Sequence, residues 1–338
     1  MRVAVDAMGG DHAPGEIVRG CMDAVQSLPG DIEIIMVGNQ EVICQELADA
    51  GGKLAPRLGI FHCEQSIDMD EAPAVAVRRK KDASINWCNA LVKRGEADAS
   101  ISAGNSGAMV ASALFHVGRV KGVFRPAIAM VLPTRDPSRP LLLLDAGANT
   151  DCDERMLAQF AVMGSVYSEA LLKRRNPVVG LLGIGTEEGK GNNLTHKAFS
   201  AIQKSNVNFC GNIEGHDLFT GGIDVAVTDG FVGNVVLKTA ESVARALANW
   251  IKDEITANPL RKTGALILKG AFKSLKARMD PDMYGGAPLL GVDGTVIITH
   301  GSASRKTIFH TIRVTRDLVK SKMVQRIADH IAGRVVAE

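Results

Sequence analysis

Short apolar, β-branched runs alternate with amphipathic stretches along most of this chain, and many of the runs stop at a glycine beside Asp, Asn, Ser or Thr. The runs are "RVAVDA" (2–7), "DIEIIMV" (31–37), "LGIFH" (58–62), "ADASIS" (97–102), "AIAMVL" (127–132), "LLLLDA" (141–146), "VVGLLGI" (178–184), "VNFCG" (207–211), "IDVAVT" (223–228) and "VIIT" (296–299). Between them lie stretches such as "APGEIVRGCMDAVQSL" and "ERMLAQFAVMGSVYSEALL", whose apolar residues recur at helical spacing. Strand, helix, strand in that order implies parallel strands joined by crossover helices and buried on both faces. The expectation is a three-layer α/β/α fold around a mostly parallel sheet, one domain over residues 1–338. The stretch "RPAIAMVLPTRDPSRPLLLLDAG" departs from the rule: two runs flank a Pro/Asp/Ser/Arg turn, which reads as an antiparallel hairpin.

A second departure is a protrusion at about 235–282, where two helices follow each other with no strand between. The second, "GALILKGAFKSLKARM" (264–279), puts Leu268, Ala271, Phe272, Leu275 and Met279 on one face. Lys269, Lys273, Lys276 and Arg278 surround that stripe, and Asp280 and Asp282 dilute the charge beyond it.

Composition narrows the function classes. The 338 residues are 46% hydrophobic, enough to bury a large core. A net charge of +2 and 4% aromatics provide neither the field nor the stacking surface expected of a nucleic-acid binder. The six cysteines, Cys21, Cys44, Cys63, Cys88, Cys152 and Cys210, have no metal-site spacing and read as reduced, mostly buried thiols of a cytosolic protein. The first residues enter a strand without the pattern of a signal peptide, and no apolar run approaches the ~20 residues of a membrane span. The chain therefore reads as soluble, or at most peripheral to a membrane.

In an open parallel sheet, ligands bind at the carboxyl ends of the strands, where loops meet helix N-termini. Six such loops carry the same chemistry. "DAMGGDHAP" supplies Asp6, Gly9, Gly10, Asp11 and His12; "SAGNSGA" supplies Ser102, Gly104, Asn105, Ser106 and Gly107; "DAGANTD" supplies Asn149. "GIGTEEGKGN" supplies Gly185, Thr186, Lys190 and Asn192; "TDGFVGN" supplies Asp229, Gly230, Gly233 and Asn234; "THGSAS" supplies His300 and Ser302. Glycine lets the backbone approach a ligand, and bare N–H groups at a helix N-terminus favour an anion, so the natural guest is phosphate. Any one of these loops taken alone is also ordinary turn chemistry, and each acid or Asn among them is also a ready helix cap.

Familiar nucleotide motifs fail letter by letter. In "GLLGIGTEEGKGNN" Gly191 stands where a Walker A loop needs Ser or Thr, and Glu188 stands where the dinucleotide fingerprint needs its third glycine. "SAGNSGA" is not a nucleophile elbow, and no metal-site motif is present in the sequence. No metal and no cofactor is expected. A reaction that needs neither enzyme nucleophile nor metal would fit, one in which phosphate itself attacks an activated carbonyl in a site that orients it, stabilises the oxyanion and excludes water. Lys190 and Asn234 suit phosphate and oxyanion, with Asp11 and His12 completing the pocket. Lys190 reads equally as a solvated loop lysine and His12 as a helix-entry residue.

Together "VAVDAMGGDHAP", "RRKK" (78–81), "SAGNSGA", "LLDAGAN", "MGSVYS", "GTEEGKGN", "TDGFVGN", "YGGAPLLG" and "HGSAS" resemble the PlsX family of bacterial phosphate acyltransferases, from Met1 to about Ile331. The resemblance implies a fold similar to the isocitrate and isopropylmalate dehydrogenases and to phosphotransacetylase. It implies transfer of a long-chain acyl group from acyl carrier protein (ACP) to inorganic phosphate, with no nucleotide. The acyl-phosphate then serves a membrane acyltransferase that acylates glycerol 3-phosphate in phospholipid synthesis. It also implies a homodimer that is cytoplasmic and peripherally membrane-associated. The basic, apolar helix with Lys269, Phe272, Lys273, Leu275 and Lys276 then suits ACP, an anionic membrane surface or both; packing in a dimer interface is the other reading. The turn "PTRDPSRP" and the tail beyond His330 match no motif. Competing readings are a phosphotransacetylase using acyl-coenzyme A, a metal- and NAD-dependent decarboxylase of the same fold, and a scaffold without chemistry.

Overall fold

The computed structural model describes residues 1–52, 55–278 and 285–333, without the side chains of 276–278. Its strands are β1 (Arg2–Asp6), β2 (Glu33–Gly38), β3 (Leu58–His62), β4 (Ala99–Ser102), β5 (Ala127–Ile128), β6 (Met130–Leu132), β7 (Leu141–Leu144), β8 (Val178–Leu182), β9 (Asn208–Ile213), β10 (Val225–Val227), β11 (Ala287–Leu290) and β12 (Thr295–Ile298). The helices are α1 (Gly15–Ser27), α2 (Gln40–Asp49), α3 (Pro73–Arg79), α4 (Ser84–Lys93), α5 (Ser106–Ser112), α6 (Glu154–Ala170), α7 (Asn193–Gln203), α8 (Gly230–Thr256), α9 (Pro259–Ile267), α10 (Lys269–Arg278), α11 (Arg305–Lys320) and α12 (Met323–Ile331).

The strands form two sheets where the sequence suggested one. A seven-stranded sheet runs β3-β2-β1-β4-β12-β11-β5, and a five-stranded sheet runs β6-β7-β10-β8-β9. From β3 to β12 the first sheet is parallel, and so is the second from β7 to β9. The expected hairpin is there, with Met130 to Leu132 antiparallel to Leu141 to Leu143. Its first strand also explains the division. Ile128 and Ala127 pair with β11 of the larger sheet, while three residues later the same run pairs with β7 of the smaller one.

β11 lies in "YGGAPLLG" and is absent from the sequence-derived runs, because Pro288 breaks the β-branched pattern and a proline offers no N–H to a ladder. Its carbonyl still accepts the Ala129 N–H at 2.9 Å.

Helix α1 shows how the layers lock. Ile17, Val18, Cys21, Ala24 and Val25 recur at helical spacing and are buried. They face α11, whose Ile308, Thr311, Ile312, Thr315 and Leu318 are buried in turn. Full burial of Ile17, Ile308 and Ile312 contributes about 1.5–3 kcal/mol each. The two helices cross at Gly20, where an added Cβ would sit 2.6 Å from the Ile308 Cβ and 2.9 Å from the Arg305 carbonyl oxygen.

The region expected to protrude is built of three helices where two were expected. α8 is 27 residues long, about 40 Å, and buries only Gly230 and Gly233 in its first turn. The single helix expected over 264–279 is two. Asn258 caps a new helix by accepting the Arg261 N–H at 2.8 Å, α9 ends at Ile267, and Leu268 leaves helical geometry before α10. Gly264 and Gly270, weak helix formers, flank that break. Leu268 and Leu275 are exposed and Phe272 is half-buried, while Met279, Asp280 and Asp282 lie outside the described residues. The turn "PTRDPSRP" packs at the opposite ends of the strands, where Arg139 reaches the buried Asp224 at 3.0 Å.

Gly20→Ala is therefore expected to destabilise the protein by about 1–3 kcal/mol, the usual cost of overpacking, measured by denaturant unfolding. An unchanged midpoint would mean that α1 and α11 do not cross so closely.

Candidate active site

At the carboxyl edge of the larger sheet, the loops after β1, β4 and β12 interleave. The buried Asp6 ends β1 and accepts hydrogen bonds from Ser102 Oγ at 2.7 Å and the Met8 N–H at 3.2 Å. Burial pushes its carboxyl up from the usual range, opposed by hydrogen bonds from Ser84, Ser102 and the Met8 and Gly9 backbone. Gly9 and Gly104 touch, so a Cβ on Gly9 would meet the Gly104 nitrogen at 2.8 Å. Gly10 has a φ of +109°, and beside it the Asp11 N–H donates to the Gly301 carbonyl at 2.8 Å. Asp11, exposed, thus stands against the loop that carries His300 and Ser302. His12 is exposed at the entry to α1.

Several expected ligand groups are engaged in building these loops instead. Asn105 caps α5 through the Ala108 N–H at 3.0 Å and donates its amide to the Met69 and Glu71 carbonyls, each at 3.1 Å. The segment so held is pinned from its other side by Lys80 of "RRKK", which pairs with Glu71. Ser106 and Gly107 begin α5 and are exposed.

At the edge of the smaller sheet, Asp145 directly follows β7 and is fully buried. Its oxygens accept the N–H groups of Ile128, Gly147, Ala148 and Asn149 and the Asn149 amide, at 2.8 to 3.1 Å. Burial pushes its carboxyl up, against those donors. Asn149 also donates to the Pro126 carbonyl at 2.7 Å, so its side chain serves the loop. Asp229 caps α8 through the Val232 N–H at 2.9 Å, and Asn192 caps α7 through the Thr195 N–H at 2.9 Å. Gly230 and Gly233 let α8 press onto the loop after β7: a Cβ on Gly233 would collide with the Asp145 carbonyl oxygen, and one on Gly230 would lie 2.6 Å from the Asn149 carbonyl oxygen.

The loop after β8 holds Gly185, Thr186 and Lys190. Asn212 Nδ2 anchors it by donating to the Glu187 carbonyl at 3.0 Å, and the Lys190 stem covers Gly185. Lys190 is exposed, and no hydrogen bond among the described residues joins it to Asn234 or to the 6–12 loop. Strand order nonetheless sets the loops after β7, β10 and β8 side by side.

Helix α8 links the two edges. Asn234 lies against Gly147, with its Cβ 3.5 Å from where a Gly147 Cβ would be. One turn on, Lys238 Nζ lies 3.4 Å from His300 Nε2, at the end of the larger sheet. His300 Nδ1 in turn contacts Ser302 Oγ at 2.7 Å. The sequence reading passed over Lys238, four residues after Asn234 and thus on the same helix face, because the glycine motif ends before it.

Asn234 and Lys238 on α8 thus lie against the two strand edges, Lys238 beside His300 and Ser302, with Asp11 against the neighbouring Gly301. No described contact joins Lys190 to this set. Cys152 is no ready nucleophile: burial first, then Asp145, push its thiol up to about 12. The class defined so far is an α/β fold whose glycine-rich strand ends and helix N-termini have the chemistry that suits an anion. Residues 1–326 match the family model described as "Fatty acid synthesis protein". The chain is 52% identical to "Phosphate acyltransferase" of Desulfitobacterium hafniense (strain DSM 10664 / DCB-2), over all of both chains. It is 47% identical to "Phosphate acyltransferase" of Heliobacterium modesticaldum, over 99% of each.

The chain belongs to this phosphate acyltransferase family, and it is an acyltransferase. Among solved structures it resembles a phosphotransacetylase from Streptococcus pyogenes (TM-score 0.67, 17% identity, 95% of this chain and 94% of that one). It also resembles a 4-hydroxythreonine-4-phosphate dehydrogenase from Klebsiella pneumoniae (TM-score 0.53, 13% identity, 94% and 99%). At these identities the likeness concerns the fold, which agrees with the α/β architecture that the family resemblance implied.

Gly233→Ala is expected to lower kcat/KM at least tenfold, because α8 must shift off Asp145 and carry Asn234 with it. Cys152→Ala is expected to keep turnover within a few-fold of the parent. Steady-state assays of the two variants, with melting curves as folding controls, check both outcomes.

Proposed function

We propose that this chain transfers a long-chain acyl group from the thioester of acyl carrier protein to inorganic phosphate. The feature that supports this reading, beyond family membership, is the set of glycine-rich strand ends linked by α8, which brings Asn234 and Lys238 to the two sheet edges. A phosphate oxygen attacks the thioester carbonyl carbon, forming a C–O bond. The tetrahedral oxyanion then collapses, the C–S bond breaks, and the thiolate leaves and takes up a proton. Lys190 and Asn234 hold phosphate and polarise the carbonyl, with Asp11 and His12 at the edge of the pocket. The products are acyl-phosphate and free ACP, the former a substrate for a membrane acyltransferase that acts on glycerol 3-phosphate. No metal and no nucleotide takes part.

The protrusion fits the partners in this reading. Val243, Leu247, Trp250 and Ile251 on α8 are exposed at helical spacing, a stripe suited to a second copy of the chain. Leu266, Ile267, Leu268 and Leu275 are exposed beside Lys269 and Lys273 near the tip, suited to an anionic membrane surface or to the acidic carrier. Lys276, assigned the same role, has its side chain outside the described residues. Among the described residues no helix is long and apolar enough to cross a membrane, so membrane contact would be peripheral. An acyl-coenzyme A donor is the second reading, favoured by the likeness of fold to a phosphotransacetylase.

The test is thiol release from palmitoyl-ACP and palmitoyl-coenzyme A by the purified protein in chelator, with and without inorganic phosphate. Phosphate-dependent release, faster with the carrier, is expected; release without phosphate would contradict the proposal. Lys190→Ala and Asn234→Ala should each reduce turnover at least a hundredfold with the fold intact, and values within a few-fold of the parent would remove those roles.

A further inference from the structure

We infer that Lys238 and His300 form a two-sided clamp on an oxygen of the substrate phosphate. The inference rests on the proposed transfer to phosphate and adds to it a residue that no glycine motif contains. The tautomer of His300 is set by its neighbour. The Ser302 N–H donates to Nδ1 at 3.1 Å and Ser302 Oγ lies 2.7 Å from the same nitrogen, so Nδ1 is the acceptor and the ring proton sits on Nε2. That Nε2–H faces Lys238 Nζ at 3.4 Å. Two donors therefore meet there. Glu241 Oε2, 3.2 Å from Lys238 Nζ, accepts one ammonium proton and holds the side chain on this face of α8, but no hydrogen bond among the described residues gives Nε2–H an acceptor.

Facing donors are satisfied together by an oxygen that bears negative charge and sits against both. Location selects which anion. Asn234, one turn earlier on α8, lies against Gly147 of the loop after β7, while His300 ends the strand beside the loop that carries Asp11. An anion held by Lys238 and His300 therefore lies between the two sheet edges, within the ground assigned to the reaction. Phosphate fits it well, since its several oxygens can take Lys238 and His300 on one side and Asn234 on another.

The same chemistry would suit the phosphate of a carrier's prosthetic arm, and the experiment separates the two. The phosphate KM of the parent, Lys238→Ala, Lys238→Arg, His300→Ala and His300→Gln is measured with palmitoyl-ACP and with an acyl-N-acetylcysteamine thioester, which contains no phosphate. Lys238→Ala and His300→Ala should raise the phosphate KM at least tenfold with both donors and leave each donor's KM within twofold. Arg and Gln, which restore a donor, should recover most of the loss. A phosphate KM unchanged in Lys238→Ala, or an effect confined to the ACP-linked donor, would overturn the clamp. Line broadening of inorganic phosphate in 31P spectra, present for the parent and lost in Lys238→Ala, reads the site without turnover. It stays informative if the parent shows no phosphate-dependent thiol release, an outcome that would sink the functional proposal separately.

Discussion

The buried carboxylate of Asp145 joins the parts of this molecule that the site requires. It takes the Ile128 N–H from β5 of the larger sheet and the N–H groups of Gly147, Ala148 and Asn149 from the loop that ends a strand of the smaller one. A carboxylate removed from water would be costly without such donors, and here the donors come from both sheets. The same residue's carbonyl sets how near α8 can come, because Gly233 rests on it without a side chain between. Sheet seam, loop and helix start are thus fixed against one buried group.

From that joint α8 carries two different duties along its length. Its first turns hold Asn234 against one strand edge and Lys238 against the other, so the helix spans the gap in which phosphate and thioester would have to meet. Beyond them it exposes Val243, Leu247, Trp250 and Ile251 at helical spacing, a larger apolar stripe than soluble surfaces usually carry. The helix that carries Asn234 and Lys238 is the same one that exposes this stripe.

Much of the architecture was legible because it is local. Alternating apolar runs and helical stretches identify parallel strands, the Pro-rich turn identifies the hairpin, and the glycine-rich loops mark the carboxyl ends of strands. What stayed hidden is long-range. Nothing in "AIAMVL" says that its first half pairs with one sheet and its second with another, and Pro288 conceals β11. The glycine loops were found as a set, yet the division of labour within them was not. Asn105, Asn149, Asn192 and Asp229 have the side chains of ligand donors and are used here as caps and braces, which a motif cannot distinguish. Lys238 shows the converse. It sits outside every motif that marks the site, and only the register of a helix against a distant strand end brings it to His300.

In the proposed reaction phosphate itself attacks the thioester, and no acyl group passes through the protein. Rapid mixing of enzyme with stoichiometric palmitoyl-ACP in the absence of phosphate, quenched and read by intact-protein mass spectrometry, tests it most directly. No burst of free thiol is expected, and the protein mass should stay unmodified until phosphate is added. A burst matching the enzyme concentration, with the mass of one palmitoyl group on the protein, would contradict it.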